Sequence, residues 1–437
     1  MLRKYLLVLL LFYGPVFPCN RAAVITLAFP AGAENTCLGE AGVSYAKNLY
    51  SVYWNPANLP VLYDETHSNI VYTSFREKLL PVLNIEDLLH TFQSFGIFLN
   101  DVFPYVDFGY SFFRNYIDFG WTEVYDPLGN LIDSVYSDEE VFSNSIGFRA
   151  FDIFSFGFSF KRFDSRLAPG IGGDEEPDKG IAEGGCFDVG FRVGKRFNIL
   201  DLFMVNPSMG ISFLNLGNDS ADYLKDTLFG KDPLPRIMYL GGSCDINIME
   251  LFEFTYVYDV DMCLLCKEWD DRQKHAGYRF QITPFYAILW GYLNDSFGSR
   301  HERSEGYTIS INLRKTYNMV SKIIKLIDLL SKNDLYSKMK EREQKLSVRG
   351  FTFKPNFYFS RTKTEIENEG KNWLTAYPKK EDWTLGIGVI ASFPNYFKKD
   401  TPKKEPVKEK KPEVIEKEED LQEEDSVIEE EEGELIE

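Results

Sequence analysis

The segment FSFGFSFK, residues 154–161, decides what kind of chain this is. Phe154, Phe156, Phe158 and Phe160 fall on one side of an extended backbone; Ser155, Gly157, Ser159 and Lys161 fall on the other. A period of two is a strand, and large rings opposite small or polar groups make a strand between two different solvents. The pattern recurs. Val189, Phe191 and Val193 alternate with Asp188, Gly190, Arg192 and Gly194, and Tyr307, Ile309, Ile311 and Leu313 with Thr308, Ser310, Asn312 and Arg314. Phe351, Phe353, Phe357 and Phe359 oppose Thr352, Lys354, Asn356 and Ser360. Fourteen such segments are expected: 68–77, 93–101, 105–121, 143–151, 153–163, 184–194, 207–216, 236–247, 249–259, 275–283, 285–294, 305–315, 350–361 and 382–393. Most have about 9–12 residues, the length with which a tilted strand crosses a bilayer.

The connections sort by length. Short ones, at 102–104, 152, 250 and 284, alternate with long polar ones at 78–92, 122–142, 164–183, 217–235, 260–274, 295–304 and 362–381. Alternating turns and loops mark an up-and-down transmembrane barrel with its turns on the periplasmic side. The expected fold is therefore all-β, an antiparallel transmembrane barrel of about 14 strands spanning residues 67–397. Two connections depart from this sorting. The turn 195–206 is moderately long. In 316–349, Val320, Ile323, Ile324, Ile327 and Leu330 recur at helical spacing. That helix lies in a stretch with ten Lys or Arg and four Asp or Glu between Asn312 and Arg349. Parity places it in the periplasm, either packed on the barrel rim or against anionic headgroups or a periplasmic partner.

Composition bounds the rest. The 437 residues carry a formal charge of −18, and 16% of them are Phe, Tyr or Trp. Eight Lys and seventeen Asp or Glu follow from Lys398 onward, so half of the negative charge sits in a tail, 398–437, expected to be disordered. The tail is either a solvated linker or a docking segment for a basic partner. An acidic chain argues against nucleic acid, since binding phosphates needs a basic face. At the other end, Arg3 and Lys4 precede an apolar run from Tyr5 to Phe17, which reads as a secretory signal over 1–28 with cleavage between 22 and 33. Pro18 stands before Cys19 where a lipoprotein signal has a small residue.

No catalytic or metal constellation is apparent. His67, His90, His275 and His301 form no HExxH, and no GxSxG elbow occurs. Cys263 and Cys266 are half of a zinc or redox motif with no second half. The acidic cluster Asp174, Glu175, Glu176 and Asp178 lacks calcium-loop spacing. The expectation is a protein that is not an enzyme and carries no cofactor and no metal.

One stretch does not read as a strand: CLGEAGVSYAKNLYSVYWNPANLP, residues 37–60. Asn55-Pro56 is a turn signal, and Gly39, Ala41, Gly42 and Ala46 permit close backbone packing. Its run of small residues followed by Tyr53-Trp54-Asn55-Pro56-Ala57 resembles the N-terminal signature of FadL-like and PorV/PorQ-like outer-membrane barrels, including a spirochaetal FadL-like set. Residues 156–162 (FGFSFKR), 234–241 (LPRIMYLG), 275–278 (HAGY) and 289–292 (LWGY) also resemble recurring phrases of that group, so the likeness runs from about Leu38 to Phe393. Glu40 is a charge where that group commonly has a small residue, and the 316–349 helix and acidic tail depart from it.

The resemblance implies an N-terminal luminal hatch over 29–66, with Tyr53, Trp54, Asn55, Pro56 and Ala57 as hatch and gating residues. It further implies outer-membrane uptake of long-chain fatty acids or other hydrophobic molecules. Otherwise the stretch is an entry turn to the first strand with no gating role. A fatty carboxylate needs a cation; inward parity offers Lys161, Arg192, Arg236, Arg314 and Lys354. The expected partners are a hydrophobic ligand, outer-membrane lipid, and a periplasmic protein for the helix or the tail. The alternatives are a PorV-like secretion accessory or surface scaffold that binds exported proteins, and a general porin or adhesin.

Overall fold

A computed structural model describes residues 23–29, 31–62, 67–78, 88–125, 128–167, 169, 179–199, 203–217, 220–223, 231–248, 252–264, 272–283, 285–295, 300–310, 324, 352–366 and 380–394. The expected signal segment up to residue 22, residues 63–66 of the expected hatch, the 174–178 acidic stretch, Cys266, Arg314, the expected disordered tail and all of the expected 316–349 helix except Ile324 lie outside the described residues.

Fourteen long antiparallel strands are described: β1 (His67–Lys78), β2 (Leu89–Phe103), β3 (Val106–Tyr125), β4 (Leu131–Ala150), β5 (Phe154–Arg166), β6 (Ile181–Gly194) and β7 (Phe203–Leu216) form the first half. The second half is β8 (Ile237–Ile248), β9 (Phe252–Cys263), β10 (Arg272–Thr283), β11 (Tyr286–Asp295), β12 (Arg300–Ser310), β13 (Thr352–Ile366) and β14 (Lys380–Pro394). Each pairs with its neighbours in sequence; β7 bonds both β6 and β8, and β14 bonds both β13 and β1. The pairings therefore run as a continuous ring, which leaves no long strand with a bare edge. Each expected segment overlaps one of these strands; the parts at 249–251, 311–315 and 350–351 lie outside the described residues.

The structure corrects the connections. Most of 122–142, expected as a loop, is strand: β3 and β4 have 20 residues each and are paired from Val106↔Ala150 up to Tyr125↔Leu131. The ends of the expected loops 260–274, 295–304 and 362–381 are likewise strand. The ladder continues there past the apolar band, where neither face meets lipid and the alternation that betrays a strand disappears. The expected turn 195–206 contains its own short ladder, Phe197–Ile199 against Phe203–Val205. At the tight turn between β4 and β5, Phe151 and Asp152 have φ of 55° and 58°, the left-handed pair that a two-residue hairpin matching the strand twist requires.

The outward face is the apolar one. Phe148, Phe154, Phe156, Phe160, Phe191, Phe254, Tyr256, Tyr278, Phe280 and Trp290 are exposed, Phe154 by 56%. A continuous belt of this kind is far larger than a water-soluble surface tolerates and belongs in hydrocarbon. Near the turns it ends in Phe103, Tyr105, Phe151 and Phe197, an aromatic girdle. Toward the opposite end it gives way to outward ion pairs, Arg114 with Glu140 and Arg162 with Glu183. The inward faces carry Ser, Asn, Asp, Arg and Gly, and residues 23–62 fill the space they enclose.

Candidate functional site

Residues 23–62 contain only short helical pieces, Ile25–Leu27, Ala33–Cys37, Ser51–Trp54 and Pro56–Val61. None is long enough to stand alone in water. They are held by the wall. Asn55 is the clearest case. Its Oδ1 accepts from the Ala57 amide at 2.9 Å and so caps the Pro56–Val61 turn, while its Nδ2 donates to Val43 O at 2.9 Å and to Phe191 O of β6 at 3.2 Å. One side chain thus closes the local turn, ties two parts of the segment together and anchors both to the wall.

The wall meets this segment with glycines. Gly109, Gly147, Gly157 and Gly190 are direct cross-strand partners on β3 to β6. A Cβ at Gly109 would press on Leu59, at Gly147 on Pro60 and Leu59, at Gly157 on the Pro56–Ala57 backbone, and at Gly190 on Asn55. Across the ring, Gly277 and Gly291 face the Cys37–Gly39 backbone in the same way. The row gives the chain backbone-to-backbone approach over much of the wall. Reciprocally, a Cβ on Gly39 would fall on the Tyr292 backbone. Gly39 and Glu40 both take left-handed φ, 69° and 64°, so the charged Glu40 sits in a turn, and its amide donates to Asn35 O at 2.9 Å.

Above the Asn-Pro turn lies an aromatic cluster. Tyr50, Tyr53 and Trp54 pack on Phe75, Phe92, Phe113 and Tyr239 of β1, β2, β3 and β8, all fully or nearly buried. The Phe75 and Phe92 rings stack at 5.8 Å, and Trp54 meets Tyr239 edge-on at 5.5 Å. The polar tips are satisfied: Trp54 Nε1 donates to Ala31 O, Tyr53 OH to Leu27 O and Tyr50 OH to Ser74 O.

Charged groups fasten the rest. The Asp259 carboxylate on β9 accepts from the Gly42 and Val43 amides at 2.6 and 2.9 Å. His275 Nδ1 lies 2.8 Å from Gly39 O. Glu139 accepts from the Thr26 amide and hydroxyl. Glu34 accepts from Tyr45 OH at 2.6 Å and from Asn48 Nδ2 at 2.7 Å, and pairs with Arg279 at 3.2 Å. Burial, reinforced by the Glu34 carboxylate, holds the Tyr45 phenol well above its ordinary range, so it remains a donor. Lys47 bridges Asp245 and Glu253.

Of the expected ligand cations, Lys161 is buried and paired with Asp188 at 2.8 Å, with Asn215 Oδ1 at 2.9 Å and the Tyr53 ring 5.4 Å away. Arg236 donates to Gly217 O from the edge of β8. Arg192 reaches Ser44 O. Lys354 is described only as backbone in β13. The structure thus brings Lys161 and Arg192 to the segment that carries Tyr53 to Ala57. Asp259, Glu139, Glu34, Arg279 and the glycine row were not singled out from the sequence, although the inward parity of Asp259 within FEFTYVYDV was readable. On the outer wall, β6 pairs with β7 from Phe187 to Gly194, and beside this seam a groove of about 470 Å³ is lined by Phe160, Arg162, Gly185, Phe187 and Gly217.

Comparison with solved structures gives distant likenesses. The chain is similar to the toluene transporter TodX of Pseudomonas putida at 11% identity, covering 84% of this chain and 98% of that one, with a TM-score of 0.39. It is similar to a FadL homologue of Pseudomonas aeruginosa at 10% identity, covering 84% and 98%, with a TM-score of 0.36. It is also similar to the toluene transporter TbuX of Ralstonia pickettii at 9% identity, covering 83% and 98%, with a TM-score of 0.36. No protein-family model matches the chain, and no curated protein matches it. At these identities and scores the likeness carries no argument about function, which must come from the lumen itself.

Proposed function

We propose that this protein is an outer-membrane channel for hydrophobic molecules, with long-chain fatty acids as its cargo class. Residues 23–62 are its hatch, and Tyr53, Trp54, Asn55, Pro56 and Ala57 form the part that gates it. One observation carries the reading: a ring of lipid-facing strands encloses a separate segment held by hydrogen bonds, ion pairs and a glycine row. A wall that needed only to be filled has no use for a segment of weak helical turns seated on bare backbone; bulky inward side chains fill small barrels more simply. The aromatic cluster around Trp54 and Phe92 supplies an apolar surface that a withdrawing hatch would offer to an apolar ligand.

The test is uptake into proteoliposomes. Full-length protein is expected to give saturable entry of radiolabelled palmitate above protein-free vesicles, with no accelerated entry of glucose. Rapid glucose entry with no saturable palmitate component would mean an open porin, and the channel reading would fall.

A further inference from the structure

We propose that the wall carries a carboxylate-binding site made by Arg192, Ser208 and Ser243, and that the closed hatch occupies it with a peptide carbonyl, that of Ser44. The inference rests on the hatch reading and deepens it, naming the ligand as an apolar chain ending in a monoanion. Three side chains reach the one oxygen, Ser243 Oγ at 3.1 Å, Ser208 Oγ at 3.3 Å and Arg192 Nε at 3.4 Å, and the two hydroxyls also bond each other at 2.8 Å, so only one of them donates to the carbonyl at a time. They come from three adjacent strands, β8, β7 and β6. A peptide carbonyl has two lone pairs and no net charge, so one hydroxyl and the guanidinium use both lone pairs while the charge of Arg192 stays unmatched.

Arg192 is only 6% exposed, yet no carboxylate lies at ion-pair distance from it among the described residues. The other buried cations of the wall are matched: Lys161 with Asp188, Arg149 with Asp107, Arg279 with Glu34 and Glu253. Asp245, further along β8, is engaged by Lys47, Thr255 and Asn206. A buried guanidinium with no carboxylate in contact is costly; Asp245 acts on Arg192 only through space, and the direct partner is a neutral one supplied by the movable segment. A second sign stands next to it. Ser155 faces Arg192 across the β5–β6 ladder, and its buried hydroxyl has no hydrogen-bond partner among the described residues; the same is true of the Ser44 hydroxyl.

Position gives the site a role. Arg192 is two residues past Gly190, Ser208 two before Gly210 and Ser243 two past Gly241, so all three lie one inward step from the glycine row toward the turns. A carboxylate arriving there takes the donors from Ser44, and the hatch loses its hydrogen bonds at that oxygen as the ligand gains them. Binding and opening thereby share one set of groups. A single guanidinium with hydroxyls in the space of one oxygen fits a carboxylate better than a dianionic phosphate.

The test compares equilibrium binding of palmitate and of hexadecan-1-ol, the same chain length without the charge, to full-length protein in detergent. Arg192→Met is expected to weaken palmitate roughly tenfold or more, the scale of a lost hydrogen bond to a charged group, and to leave hexadecanol unchanged. Ser208→Ala with Ser243→Ala keeps the charge and is expected to weaken palmitate several-fold with the same selectivity. This second variant decides the matter if Arg192→Met does not fold. Equal loss for both ligands, or no loss for either, overturns the site. If the wild type binds hexadecanol as tightly as palmitate, the site falls and the channel reading stands; if it binds neither, both fall.

Discussion

Gly157→Val is expected to leave a folded barrel whose lumen is no longer shut. Valine suits a strand, so the β4–β5–β6 ladder itself gains nothing to resist it. The inward Cβ, however, lands on the backbone of Pro56 and Ala57. Both contacting groups are main chain, and neither can rotate aside as a side chain would. Overpacking costs about 1–3 kcal/mol even where neighbours relax, and the part that must give is the proposed hatch. The closed state should therefore be disfavoured by roughly tenfold or more, seen as new conductance in planar bilayers while the protein keeps its heat-modifiable mobility on gels. Gly242→Val is the control. Gly242 points outward on β8, and its nearest atom is Ser208 O at 3.5 Å, an ordinary contact. Conductance equal in the two variants would mean that the glycine row does not hold the hatch.

Asn55→Ala is the second large effect. The substitution leaves the Ala57 amide and the carbonyls of Val43 and Phe191 without their partner in a fully buried place. Orphaned buried groups cost about 1–3 kcal/mol each, and an N-cap lost to alanine about 1 kcal/mol. The hatch should lose roughly 3 kcal/mol of its hold with no direct loss to the ladder. Hydrogen exchange reads this directly: amides 42–58 are expected to exchange about a hundredfold faster, while those of β3 to β6 keep their protection. Asn55→Asp separates capping from donation. It keeps an acceptor for Ala57 but offers no donor to Val43 O or Phe191 O, so it should behave like alanine or worse. Unchanged exchange in both variants would remove Asn55 from the gate.

The strands were legible because lipid on one side and polar lumen on the other impose a period of two, as FSFGFSFK displays. The upper half of the β3–β4 hairpin was not. Trp121 to Tyr125 and Leu131 to Ser134 stand beyond the apolar band, where the ladder no longer separates two solvents and leaves no alternating signature. The hatch motif announced a turn and close packing through Asn55-Pro56 and the small residues from Gly39 to Ala46. What the sequence could not display was its counterpart. Gly109, Gly147, Gly157 and Gly190 look like scattered small residues until the register sets them side by side. The charged ties were hidden for the same reason: Asp259 and Gly42 are 217 residues apart in the chain, and only ring closure brings them to 2.6 Å. Reading the cations alone pointed to Lys161 and Arg192 equally, and only the Asp188 partner of one and the missing partner of the other distinguishes them.

The most direct measurement of a moving hatch is a reversible tether. A Cβ built at Gly147 comes 3.1 Å from that of Leu59 and 2.7 Å from Pro60 Cδ, so a shift of the turn by a few tenths of an ångström away from the wall brings the pair to the Cβ spacing of a disulfide once both residues are cysteine. Leu59→Cys with Gly147→Cys would pin the Asn55–Pro60 turn to β4, with the wild-type chain carried through the same oxidation as the control. Oxidised protein in proteoliposomes is expected to lose saturable palmitate uptake, and reduction to restore it. Equal uptake by the oxidised and reduced variant, with the bond confirmed by mass, would show that cargo passes without the hatch leaving the wall.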